Sequence, residues 1–207
     1  MKESQLILFL ITSLLIIITP GQDLVLVLSR GISKGPKAGI FTAAGVSLGL
    51  IGHTIIATFG LGAFLLASDI VFMCIKFIGA SYLVYLGYKL ITSKLHLPQI
   101  KNENSISSWK CFTSGVFSNI SNPKITIFYF AYLPQFITSS QHNQIHLLLL
   151  GISFAVLTFI VKGPIGYISG RLSKWILNSE SMLKWVNRTS GTVLVCLGVK
   201  LVFEKKS

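Results

Sequence analysis

The feature that most constrains this chain is a series of apolar runs, each near the ~20 residues a helix needs to cross hydrocarbon. They fall at about 5–28, 38–66, 70–91, 113–133, 145–168 and 186–203. Hydrocarbon offers the backbone no hydrogen-bond partner, so such runs must satisfy their own N–H and C=O groups as helices. No alternating, strand-like pattern competes with that reading. The sequence therefore predicts an all-α integral membrane protein of six transmembrane helices, forming one membrane domain over 1–207.

Charge falls where this reading requires it. Only 12% of the 207 residues are charged and 52% are hydrophobic, whereas soluble domains carry about 25% charge. The net charge of +12 does not indicate a nucleic-acid binder, because the cations sit in short connections rather than on a basic stripe interleaved with aromatics. Arg30, Lys34 and Lys37 occupy the first connection, and Lys94, Lys101 and Lys110 the third. Arg171, Lys174 and Lys184 occupy the fifth; the second and fourth have no Lys or Arg. Cytoplasmic loops collect Lys and Arg, so odd connections are predicted inside and even ones outside, with the first span starting outside. The tail Glu204-Lys205-Lys206 and the polar pair Asn187-Arg188 fit less well, and leave a partial sixth crossing open. Lys2 and the run after it mimic a signal peptide, but Thr19–Asp23 offers no small-x-small cleavage pattern, so an uncleaved first span is expected. Cys74, Cys111 and Cys196 are scattered, without metal-ligand spacing, and read as small apolar residues.

The polar stretch from Lys94 divides the chain into halves, about 1–92 and 113–204, joined by a cytoplasmic linker over 94–112. Residues 83–90 read LVYLGYKL and residues 194–201 read LVCLGVKL, identical at six of eight positions. Gly45, Gly49, His53 and Ala57 align with Gly151, Ala155, Phe159 and Gly163. Spacing of i, i+4 puts each set on one helix face, where small residues permit close helix approach. A three-span unit repeated once must be inverted in the bilayer, so the expectation is an inverted 3+3 repeat of the kind found in secondary transporters.

Two spans are broken by proline. Thr19-Pro20-Gly21-Gln22 reads as a capping box: Thr19 as N-cap, Pro20 at the first helical position and Gln22 at the third. Asn122-Pro123-Lys124 repeats the arrangement with Asn122 as cap. Half-helices starting there would bring two positive N-termini together near mid-depth, a site for a carboxylate. The plain alternative is a pair of simple kinks. Asp23 is the one acidic residue well inside a span; the other five lie at ends or loops. A carboxylate at mid-membrane costs about 2.5–3.5 kcal/mol, so it needs a compensating partner or a function. Proton exchange, an ammonium ligand, a structural cap and a partner for a nearby Lys are the readings open to it. Lys124 in a first helical turn opposes the helix dipole and makes sense beside an anion. His53 lies on the small-residue face, as packing residue or proton relay. Asn119 and Asn122 read as polar glue or substrate contacts. Lys162 is expected to snorkel to the inner surface, and Lys76 is ambiguous. Paired catalytic acids, a metal-ligand set and a phosphate loop are all missing from the sequence, so enzymatic turnover and ATP-driven pumping by this chain are not expected.

Taken in order, these motifs resemble the lysine exporter/homoserine-threonine resistance (LysE/RhtB) family of amino-acid efflux proteins, over nearly the whole chain. The residues are Thr19-Pro20-Gly21-Gln22-Asp23, Arg30, Gly35–Gly39, the Gly45-Gly49-His53 series, the third span from Lys76, Asn122-Pro123-Lys124 and Leu133-Pro134-Gln135-Phe136. Gln22 departs from the family's second proline. The resemblance implies an inner-membrane exporter of amino acids or small derivatives, driven by proton antiport and using no cofactor. Its partners would be the amino-acid substrate, protons and the lipid bilayer, with a homo-oligomer left open. A cation exporter and a non-transporting scaffold are the competing readings; several buried cations argue against the first, and costly polar breaks against the second.

Topology is directly testable. On a cysteine-free background, a cysteine at Asn104 should react with an impermeant thiol reagent from the cytoplasmic side only. Labelling from outside would reverse the orientation.

Overall fold

A computed structural model describes residues 3–61, 69–92, 107–136, 143–176 and 180–203, and every regular element in them is helical. The eight α-helices are α1 (Glu3–Ile18), α2 (Gln22–Lys34), α3 (Pro36–Ile55), α4 (Asp69–Thr92), α5 (Ser108–Ile120), α6 (Pro123–Ile127), α7 (Asn143–Ile176) and α8 (Glu180–Phe203). A π turn, Ile56–Leu61, extends α3; another, Phe128–Tyr132, continues α6 into a 3-10 turn at Leu133–Phe136.

Among the described residues, two helical stretches are by themselves long and apolar enough to cross a membrane: Pro36–Gly60 and Gln144–Ser169. A third crossing counts if α1 and α2, bent by 53° at their junction, form one broken span. Helices α4 and α8 have 24 residues each, about 36 Å at ~1.5 Å per residue. The last of them runs unbroken through Asn187 and Arg188. Large apolar side chains such as Ile11, Leu48, Ile78 and Ile160 point outward, the arrangement expected where the surroundings are hydrocarbon.

Several boundaries differ from the sequence reading, each for a local reason. Helix α2 continues to Lys34, so Arg30 and Lys34 are helical rather than in a loop. The turn comes at Gly35, whose φ of +90° suits glycine, and Pro36 then starts α3. Helix α5 begins at Ser108, inside the stretch read as linker, because the Ser107 side chain caps it by accepting from the Lys110 N–H. The rest of that linker, residues 94–106, lies outside the described residues. Pro164 sits on an exposed position within α7 without ending it.

Small residues set the helix crossings. A Cβ on Gly39 would lie 2.3 Å from the Gly166 carbonyl oxygen, and one on Gly45 would lie 1.9 Å from that of Phe112. Thus α3 packs backbone to backbone on both α7 and α5. Helices α4 and α8 are antiparallel and similarly close. Gly87 faces the Gly191 carbonyl, and Gly198 faces that of Ala80. Gly87 and Gly198 are equivalent positions of the repeated octapeptide. Lys76 closes the same seam by donating to the Val202 carbonyl at 3.0 Å, a cation at a helix C-terminus. The aligned small-residue sets of α3 and α7, by contrast, are not alike in burial: His53 is 5% exposed and Phe159 40%. The buried stripe of α7 runs instead through Gly151, Ala155, Thr158, Lys162, Gly166 and Ser169. The core between these layers is aromatic, with Phe128 4.6 Å from Phe154 and Phe9 edge-on to Phe136.

Two glycines of one helix should answer oppositely to alanine. Gly39→Ala overpacks the α3/α7 crossing and should cost about 1–3 kcal/mol. Gly52→Ala meets open space and should gain about 0.5–1 kcal/mol of helix propensity. Detergent-solubilised thermal unfolding reads both; equal effects would refute the crossing.

Candidate functional site

Each proline break removes a helical N–H donor, and the site is built around what meets the acceptors left behind. Pro20 has no N–H, so the Ile16 carbonyl four residues earlier loses its helical donor. Because the helix stops there, the buried Thr19 carbonyl lacks a helical donor as well. Lys124, from the other break, donates to both, each at 3.1 Å. Pro123 in turn deprives the Asn119 carbonyl. His53 reaches it through Nε2 at 3.2 Å, alongside the Asn122 N–H at 2.9 Å. A carbonyl only accepts, so this nitrogen of His53 carries the proton. The His53 ring also stacks on Tyr129, 5.5 Å between centroids.

Asp23 lies in the first turn of α2, 2% exposed. It accepts from Ser118 Oγ at 3.1 Å on one oxygen and from Asn119 Nδ2 at 2.8 Å on the other. The second oxygen also stands 3.7 Å from Lys162 Nζ. Its partners thus come from the end of α5 and the middle of α7. The α2 amide ends add a partial positive charge. Lys162 is itself 3% exposed, so the expected snorkelling does not occur: it faces inward along the buried stripe of α7, and Asp23 holds it there.

The two breaks cross head to tail. The start of α6 brings Lys124 to the end of α1, and the start of α2 brings Asp23 to the end of α5. This differs from the expected meeting of two N-termini around an external anion. Each N-terminal turn faces the carboxyl end of the other broken segment, and the anion at the start of α2 is Asp23 itself. A Cβ on Gly21 would lie 3.2 Å from Lys124 Nζ, so the break at Gly21 leaves room for that ammonium group. One carboxylate and two ammonium groups are therefore buried where five helices, α1, α2, α5, α6 and α7, meet.

The caps also divide. Asn122 caps α6 as expected: its side chain accepts from the Lys124 N–H at 3.1 Å, with Pro123 in the first turn. The capping box at Thr19 does not form. Thr19 is buried and donates back to the Leu15 carbonyl, extending α1 by a side-chain bond. Pro20 is half-buried, Gly21 is the extended N-cap without a side-chain bond, and Gln22 is exposed at the first position of α2. Asn122 Nδ2 and Asn119 Oδ1 are buried with no hydrogen-bond partner, a donor and an acceptor left over beside the charges.

Sequence reasoning missed Lys162 and Ser118 as partners of Asp23. Lys162 had a usable signal, since a lone cation deep in the run 145–168 needs an anion and Asp23 was the single intramembrane candidate. Ser118 had none beyond its position next to Asn119. The Thr54–Tyr129–Gly151 chain, with Thr54 donating to Tyr129 and Tyr129 to the Gly151 carbonyl, was also unforeseen.

Comparison with known proteins gives a consistent result. The family model "LysE type translocator" matches residues 14–205. The uncharacterized membrane protein YrhP of Bacillus subtilis is 34% identical over 195 residues, covering 90% of this chain and 92% of its own length. The homoserine/homoserine lactone efflux protein of Salmonella typhimurium is 28% identical, covering 93% of each chain. An uncharacterized membrane protein of Vibrio cholerae is 28% identical over 95% of this chain and 96% of its own. No solved structure matches.

The carbonyl contacts of Lys124 carry a stability consequence. Lys124→Met strands two buried acceptors at about 1–3 kcal/mol each, so the unfolding midpoint should fall. Lys124→Gln, which still donates, should recover part of the loss. A Lys124→Met protein as stable as wild type would refute this role.

Proposed function

Because the chain belongs to the LysE type translocator family, a family of transporters and not enzymes, we propose that it is a secondary active exporter of amino acids or their small derivatives, working by proton antiport in the inner membrane. The observation that carries this reading is the buried trio of Asp23, Lys162 and Lys124 at the crossing of two broken helices. Homoserine is the first substrate to test, since a relative carries efflux of homoserine and its lactone in its name.

In this reading the chain crosses six times as one membrane domain, an inverted 3+3 repeat with broken first and fourth spans. Support comes from the octapeptide repeat, the antiparallel α4/α8 seam and the paired breaks. The site comprises Thr19, Pro20, Gly21, Gln22, Asp23, His53, Asn119, Asn122, Pro123 and Lys124, to which Ser118 and Lys162 are added.

The chemistry follows from charge balance. A zwitterionic amino acid inserts between Asp23 and Lys162, ammonium to the carboxylate and carboxylate to the ammonium. One ion pair becomes two, so the desolvation of the substrate's charges is offset by contacts already prepared. The unpaired Asn122 Nδ2 and Asn119 Oδ1 match further groups of each sign. Lys124 stays on its carbonyls and adds positive potential beside the substrate carboxylate. A proton arriving on Asp23 from outside removes the charge that holds the substrate ammonium. Proton and substrate then compete for one carboxylate, and that competition is the minimum requirement for antiport.

Asp23→Asn keeps the shape and the hydrogen bonds with Ser118 and Asn119 largely available but removes the titratable group. Radiolabelled homoserine efflux from vesicles, compared per folded protein, should lose its dependence on the pH gradient and leave slow exchange; the unfolding midpoint should also fall, because Lys162 loses its buried counter-charge. Full proton-coupled efflux in Asp23→Asn would exclude Asp23 as the coupling residue.

A further inference from the structure

Helices α2 and α5 diverge from the Asp23 site and leave between them an open cleft of about 720 Å³. Its inner end is formed by Gln22, Ser118 and Ser121, and its outer end by Arg30, Lys110 and Thr113. Ser118 belongs both to the cleft and to the site, because its hydroxyl donates to Asp23. The cleft therefore leads from two cations at one end of the bundle to the buried carboxylate.

Its walls are held from behind. On the far side of α2, Gly31 meets Ser169 and the Gly166 carbonyl of α7 so closely that a Cβ would lie 1.8 and 2.4 Å from them. On the far side of α5, Gly115 would place a Cβ 2.3 Å from the Thr42 carbonyl of α3. Backbone seams of this kind fix both helices against α3 and α7, so the separation that makes the cleft is set by packing rather than by a loose surface. The lining is also graded. Cations stand at the mouth, Val25, Leu26 and Phe117 along the side, and hydroxyl and amide groups at the inner end.

We propose that this cleft is the access path for the transported solute from the Lys/Arg-rich side, with Arg30 and Lys110 attracting its carboxylate and Ser118 handing it to the Asp23 site. The proposal rests on the exporter reading. Two cations at the mouth of a low-dielectric groove concentrate an anionic group and lose that effect as salt rises. The same cations would suit an anionic lipid headgroup, but the path ends on the buried polar cluster, which a headgroup tethered by two chains does not reach. The occupant is therefore the free solute.

The test uses inside-out membrane vesicles and proton-driven uptake of radiolabelled homoserine. Arg30→Gln with Lys110→Gln should raise the apparent KM about fivefold or more and flatten its salt dependence, while Lys89→Gln, an exposed cation outside the cleft, should change neither. An unchanged KM in the double variant would overturn the proposal. In liposomes of phosphatidylcholine alone the KM effect should persist; its disappearance there would assign the cations to anionic lipid and also overturn it. For an arm independent of turnover, Ser114→Cys on a cysteine-free background should react with an impermeant methanethiosulfonate, and excess homoserine should slow that reaction. Uptake should be blocked once the cysteine is modified. Reaction without protection, or full uptake after complete modification, would refute the path. Wild-type vesicles that take up no homoserine would count against the exporter reading instead, and the labelling arm would then decide the cleft by itself.

Discussion

The structure depends on how two proline breaks are accommodated within a packed helical bundle. Each removes the N–H that would serve a buried carbonyl four residues earlier, at Ile16 and at Asn119. The Ile16 carbonyl is met from outside its helix by Lys124, and the Asn119 carbonyl by the local Asn122 N–H with His53 of α3 added. Those bonds tie each break to a distant part of the sequence. They also explain why a lysine stands in the first turn of α6, where the dipole of its own helix opposes it. The carbonyl end of α1 is the environment it occupies, and there a cation is favoured. Position follows from the missing donors, and the chemistry of the site follows from position.

Once the breaks are locked this way, Asp23 has little freedom. Helix α2 buries Asp23, Val27 and Gly31 on one face, and the tight contact of Gly31 with α7 fixes its rotation. The carboxylate is thereby aimed at Ser118, Asn119 and Lys162. Burying an ion pair gains little stability by itself, since desolvation of both charges offsets the attraction. Here two hydrogen bonds and a helix N-terminus are added on the acidic side. The basic side keeps an excess: two ammonium groups share one carboxylate. An excess of one positive charge is a poor cage for a metal cation and a good one for a molecule that carries a carboxylate of its own.

Much of this is legible in the sequence because it depends on rare events. Proline within an apolar run, one acidic residue inside a span and an asparagine before a proline are each conspicuous, and each lies at the site. Packing reverses the reading where several local solutions compete. Thr19 has a choice between capping α2 and bonding back to Leu15. It takes the latter, because Pro20 keeps α1 from continuing while the threonine hydroxyl still reaches the previous turn. Lys162 departs from expectation for a different reason. Whether a lysine snorkels depends on which face it occupies, and alignment through Phe159 puts the stripe of α7 in the wrong register. The octapeptide repeat marks two related halves without saying where they pack; in the structure its Gly87 and Gly198 lie on one α4/α8 seam, where glycine permits close approach.

The same seams bear on how such a site could work at all. In the proposed exporter a solute must reach Asp23 without the bundle losing the contacts that hold Lys124 on its carbonyls, since those bonds keep the broken helix intact. The arrangement separates the two demands. Gly31 on α7 and Gly115 on α3 hold the backs of α2 and α5, while the opposite face of α2, with Gln22, Val25, Ser29 and Arg30, carries the open cleft. The carbonyl contacts of Lys124 lie at the end of α1, and Lys124 lines no part of the cleft. Access and integrity thus use different surfaces of one break, joined at Asp23. In the proposed exporter, that junction is where a single carboxylate would register a proton, a lysine and a passing ammonium group in turn.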